Sequence, residues 1–168
     1  MASTRDNNEA KMYKLKCSDG TELEIVEAAA AEAGTLKTAI DVYAGEGAIP
    51  ITGVAGDILV KIISYCTKHA EFAAAPEPIN KETKLAKEAE IKAWDKEFID
   101  VSLDTLYDFL MASNYLEVQG LLDLSVDKVA HLISGKTVEE IRTTFNIKND
   151  FTPEEENEVK REFPWAFE

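Results

Sequence analysis

A clear two-residue alternation is confined to residues 12–25, and almost everything after it repeats at helical spacing. In "MYKLKC", Tyr13, Leu15 and Cys17 share one side of an extended chain and Lys14 and Lys16 the other. "SDG" follows, and in "TELEI" Leu23 and Ile25 alternate with Glu22 and Glu24. Such a pattern is a hairpin of two half-buried strands closed by a glycine-containing turn. A lone hairpin is marginal in water, so its apolar side must be covered by the helices that come next.

Those helices are readable from their stripes. "VEAAAAEAG" predicts a short helix, and "TLKTAIDVYAG" places Leu36, Ile40 and Tyr43 together. "GAIPI" is a short extended piece, followed by Ile58, Leu59, Ile62, Ile63 and Cys66 on one broad helical face. A helix capped near Ser102 carries Leu103, Leu106, Tyr107 and Leu110, and a further one carries Val118, Leu121, Leu122, Val129 and Ile133 up to a capping Gly135. "TVEE" (137–140) and "TPEE" (152–155) are capping boxes, each opening a helix in the last third. The fold class is therefore mixed α/β (α+β), with a small sheet and packed helices. Residues 72–90, rich in alanine, lysine and glutamate with two prolines, are expected to form a flexible linker loop, with a helix from Lys81 onward left open as an alternative. Residues 1–10 read as a solvated tail with no hydrophobic stretch of the secretory kind.

The formal net charge of −14 disfavours a phosphate backbone or an anionic membrane surface as partner, so neither nucleic acid nor membrane is expected. No apolar run approaches the ~20 residues of a membrane span. The two cysteines, Cys17 and Cys66, lie on apolar faces without ligand spacing, which points to buried, reduced thiols of a cytoplasmic and nuclear protein.

Enzymatic motifs fail on inspection. "SGKT" (134–137) imitates the end of a phosphate-binding loop, but Ala130 stands where its first glycine belongs and a helix precedes it. "DLSVDK" begins at calcium-loop offsets, yet Lys128 occupies the glycine position. His69 and His131 have no partner at metal-ligand spacing, so no metal or other cofactor is expected. A catalytic Cys66–His69 pair competes with simple burial of Cys66, and burial is favoured. What remains is apolar bulk: Ile141, Phe145, Ile147, Phe151, Val159, Phe163, Trp165 and Phe167 supply more than two short helices can bury between themselves. The set either folds back onto the preceding domain or leaves an exposed partner groove, and the residues alone favour neither.

The order of "SDG", "SYCTKH", "AWDKEF", "ASNYL", "GLLDL" and "GKTVEEIRTTFNIKNDFTPEEE" closely resembles the Skp family, the F-box-binding adaptor subunit of SCF (Skp–cullin–F-box) ubiquitin ligases. The alanine-rich, acidic style and the "WAFE" ending resemble the plant branch. The resemblance covers residues 11–168 and implies a BTB/POZ-like domain over 11–134 followed by two F-box-binding helices over 135–168. It implies no enzyme, but a bridge between two proteins. One face would dock a cullin, and with it indirectly the RING subunit, through Asn114 and Tyr115. The other would hold an F-box protein through Tyr107, Leu110, Leu122, Ile141, Phe145, Ile147, Val159, Phe163 and Trp165. A second possibility is a diverged BTB-like protein that self-associates and has lost F-box binding.

The chain departs from the family pattern at three places. Phe163 and Pro164 precede the final Trp165, so the last helix should end near Phe163. Val138 stands in "TVEE" where proline is commoner, and "GVAGDIL" lacks a Ser/Thr cap, leaving Asp57 or an upstream group to serve.

Overall fold

The computed structural model describes residues 11–43, 47–76 and 80–166. The expected N-terminal tail, Phe167 and the middle of the expected linker lie outside the described residues. Strands β1 (Met12–Cys17) and β2 (Glu22–Val26) pair antiparallel with Leu15 opposite Leu23. The link between them is held by Gly20 at φ +85° and by the Cys17 amide donating to the Thr21 carbonyl at 2.9 Å. Strand β3 (Ile49–Ile51) adds to β1 in parallel, giving the order β2-β1-β3. Leu15, Cys17, Ile25, Ile49 and Ile51 are buried on this small sheet.

Helices α1 (Glu27–Ala30), α2 (Gly34–Tyr43), α3 (Gly56–Ala74), α4 (Lys81–Phe98) and α5 (Leu103–Leu116) follow in the chain, then α6 (Gln119–Ile133). The apolar stripe of α3 is buried at Ile58, Leu59, Ile62 and Cys66, and α5 contributes Leu106, Phe109 and Leu116. Aromatic rings join three helices: Tyr65 of α3 lies 5.5 Å from Phe98 of α4, Trp94 stacks on Phe98, and Phe98 lies parallel to Phe109 of α5 at 5.4 Å between centroids. Such pairs add roughly 0.5–1.5 kcal/mol beyond the area they bury.

The expected loop over 72–90 is mostly helix. Phe72 to Ala74 complete α3, and α4 begins at Lys81. Alanine, lysine and glutamate are strong helix formers, and Asn80 starts α4 with a capping box, its Oδ1 accepting from the Thr83 amide at 2.9 Å. The apolar stripe that marks the other helices is missing because α4 buries Ile91 alone. Pro76 lies in the short break after α3.

Helix α3 receives its missing cap from the hairpin. Its Gly56 amide donates to Asp19 Oδ2 at 3.0 Å, while Asp19 Oδ1 accepts from the Thr21 amide at 2.8 Å. One carboxylate thus ties the β1–β2 turn to the start of a core helix. Gly56 fits there because an added Cβ would come within 2.7–2.9 Å of the Thr21 side chain. The bonds from Thr21, and then that from Gly56, hold the Asp19 carboxyl below its ordinary value of 3.8. A depressed carboxylate stabilises the fold in full above the unfolded value and loses that contribution as pH falls through the folded one. The stability gap between wild type and Asp19→Ala, measured by urea unfolding across acid pH, should be constant near neutrality and close only below about 3.8. A gap that does not vary with pH would remove the carboxylate from the explanation.

The chain forms two compact units divided between Val126 and Asp127. The boundary falls inside α6, whereas residue 134 was expected. Ser125 is the last buried residue among those described, so the core ends half-way along this helix rather than at its glycine.

Candidate protein-binding surfaces

The second unit contains the end of α6, then α7 (Val138–Thr144), α8 (Pro153–Glu162) and a 3-10 turn at Pro164–Ala166. Both predicted capping boxes are present. Thr137 accepts from the Glu140 amide and its own amide donates to Glu140 Oε2 at 2.8 Å. Thr152 and Glu155 repeat the arrangement, again with 2.8 Å on the return bond. These bonds from Thr137 and Thr152 lower the carboxyls of Glu140 and Glu155. Val138 therefore replaces proline without loss of the box. Gly135 at φ +71° serves as the C-terminal stop of α6, as its position requires.

Helices α7 and α8 are linked through Glu156. Its Oε1 accepts from Arg142 Nη1 at 3.3 Å and from Asn149 Nδ2 at 2.6 Å. Those two bonds, with the Asn149 bond first, lower the Glu156 carboxyl. Between the helices lies an open groove bordered by Glu139, Arg142, Phe151, Glu156 and Val159. No residue of α7 or α8 is buried. Ile141, Phe145 and Val159 are half-buried, whereas Ile147, Phe151, Phe163 and Trp165 are exposed, Trp165 by 75%. Helix α8 stops at Glu162 with Phe163 at its C-cap, as Pro164 dictates.

In the first unit, α5 carries a second apolar surface. Leu106, Phe109, Ser113 and Leu116 face the core, and on the opposite side Tyr107, Met111, Asn114 and Tyr115 follow at i, i+4, i+7 and i+8. Tyr107 is 62% exposed, Met111 55% and Tyr115 44%. Tyr107, expected to meet the F-box, shares this stripe by helical spacing with Asn114 and Tyr115, expected to meet the cullin. Leu110 is half-buried, as is Leu122 on α6. Met111 went unassigned from the sequence, although its spacing from Tyr107 and Tyr115 was there to be read.

The groups considered for catalysis are otherwise engaged. Burial, chiefly, pushes the Cys66 thiol up to about 12, the opposite of an activated nucleophile. His69 Nε2 pairs with Asp95 Oδ1 at 2.8 Å and its ring stacks on Tyr65. Lys136 Nζ donates to Thr144 Oγ1 at 2.9 Å, and Thr137 caps α7, so "SGKT" is a helix-to-helix link. Asp123 lies within α6 and accepts from Gln119. Among the described residues, no group of three or more His, Cys, Asp or Glu could hold a metal ion, and no helix is long and apolar enough to cross a membrane.

A small mixed sheet packed by helices, followed by a helical segment that contributes nothing to the core, defines a BTB/POZ-like protein with a C-terminal helical extension. Residues 11–71 match the Skp1 family tetramerisation domain, and residues 119–166 match the Skp1 family dimerisation domain. The chain belongs to the Skp1 family. It is 46% identical to SKP1-like protein 20 of Oryza sativa subsp. japonica, over 94% of this chain and 95% of that one. Against SKP1-like protein 1A of Arabidopsis thaliana it is 46% identical, over 95% and 99% of the two chains. SKP1-like protein 4 of the same plant is 48% identical, over 94% and 97%. The chain is thus a plant Skp-like protein.

Proposed function

We propose that this chain is a non-enzymatic adaptor that joins an F-box substrate receptor to a cullin in an SCF-type ubiquitin ligase. The observation that supports it most is the second unit: two well-capped helices without a buried residue, bearing an exposed Ile147, Phe151, Phe163 and Trp165. Helices held by their caps and left uncovered are suited to receive another protein's apolar surface. The F-box segment is bound by Ile141, Phe145, Ile147, Val159, Phe163 and Trp165, with Tyr107, Leu110 and Leu122 in the same role. The cullin is bound through Asn114 and Tyr115 on α5. Cys17 and Cys66, both free and buried, suit a protein that works in the cytosol and nucleus.

Calorimetric titration with an F-box segment and, separately, with a cullin N-terminal region tests the reading. Stoichiometric submicromolar binding of the F-box, with the cullin still accepted afterwards, is the expected result. Failure to bind any of several F-box segments, together with a mass that rises with concentration in light scattering, would favour the self-associating alternative.

A further inference from the structure

The last four carbonyls of a helix have no donor within the helix. In α5 these belong to the turn that carries Asn114 and Tyr115. Part of the deficit is met locally, because Glu117 turns left-handed at φ 56°. Its amide returns to the Asn114 carbonyl at 3.3 Å, and the Val118 amide returns to Ser113 at 2.9 Å. The Tyr115 carbonyl is satisfied from elsewhere, by the Thr35 hydroxyl at 2.9 Å, 80 residues earlier in the chain. Beside it the Gly34 amide donates to the Glu117 carbonyl at 3.3 Å.

Gly34 and Thr35 open α2, where amides lack acceptors for the same reason that the carbonyls of α5 lack donors. The start of one helix therefore closes the end of the other. Helix α2 is itself anchored in the core by Leu36 and Ile40, and Thr35 is half-buried and off the exposed stripe of α5. The Tyr115 side chain is restrained as well: its ring lies so close to Gly53 that a Cβ there would stand 3.1–3.3 Å from three ring atoms.

We propose that Thr35 is the positioning residue of the α5 surface, its hydroxyl on the Tyr115 carbonyl fixing the turn from which Asn114 and Tyr115 meet the cullin. This rests on the reading that those two residues contact the cullin. Thr35 acts through the main chain of Tyr115, and its effect depends on the hydroxyl rather than on the shape of the side chain.

The test uses the full chain with Thr35→Val, which keeps the shape and removes the donor, and Thr35→Ser, which keeps the donor. Affinities for a cullin N-terminal region and for an F-box segment are measured by calorimetry, and amide exchange at Glu117 and Val118 is followed in the free protein. Thr35→Val should weaken cullin binding roughly fivefold, the effect of one hydrogen bond, and speed exchange at both amides while leaving F-box affinity unchanged. Thr35→Ser should restore both properties. Equal cullin binding by Thr35→Val, loss of both partners together, or a Thr35→Ser protein that behaves like Thr35→Val would overturn the inference. A wild-type protein that binds no cullin would instead overturn the adaptor reading, and this inference with it.

Discussion

A chain ending at Asp150 should lose F-box binding altogether and yet unfold at nearly the same temperature as the full-length protein. The two halves of this expectation come from one fact: α8 buries no side chain and Phe163, Pro164 and Trp165 after it are exposed, so their removal opens no cavity. They nevertheless carry Trp165, whose ring is three-quarters exposed. Covering the remainder of an indole of ~150–250 Å² at ~25 cal/mol per Å² stabilises a complex by about 3–5 kcal/mol before ordering costs. Fixing the terminal residues offsets about 1–2 kcal/mol of backbone freedom for each one newly ordered. Trp165→Ala alone should then weaken F-box binding by roughly thirty-fold or more. Calorimetry reads the affinity and a thermal melt reads the fold. Unchanged affinity in Trp165→Ala would remove this residue from the interface, and a large drop in melting temperature on truncation would show that the segment stabilises the first unit.

Tyr115→Lys should abolish cullin binding and spare the F-box. The ring is 44% exposed, and its other face rests against the backbone at Gly53, so the substitution removes the apolar disc without deleting a core residue. A lysine stem can follow the same path and place its ammonium in water, which keeps the fold but puts a solvated charge where an apolar contact is needed. A pull-down with a cullin N-terminal region, run beside one with an F-box segment, separates the outcomes. Retention of the cullin would sink the assignment of this surface, whereas loss of both partners would indicate misfolding.

The parts of this architecture that were legible in the sequence are those where one rule acts without competition. The alternation in "MYKLKC" and "TELEI" placed Leu15, Cys17 and Ile25 in the core, and the two threonine boxes fixed the starts of α7 and α8. Helix α4 was legible only as an alternative from Lys81 onward, because propensity and a cap define it where hydrophobic periodicity is silent; Asn80 and Thr83 were the further signal available. The compact units divide before residue 134 because Gly135 ends a helix but does not end the core, and burial at Ser125 cannot be read from a stripe that continues to Ile133. The contacts of Asp19 with Gly56 and of Thr35 with Tyr115 join residues far apart in the chain, and no local pattern announces either.

That the core stops at Ser125 also separates two kinds of constraint along one polypeptide. Before that point, outside the exposed stripe of α5, the buried apolar side chains answer to their neighbours in the same molecule, and a poor choice lowers the amount of folded protein. After it no described side chain is buried, and on the proposed adaptor reading an apolar one answers to another molecule. On that reading, variation there changes which receptor is preferred without ever passing through an unfolded form. The Phe163-Pro164 pair lies on that freer stretch, where a lineage can retune its choice of partner while the fold remains indifferent.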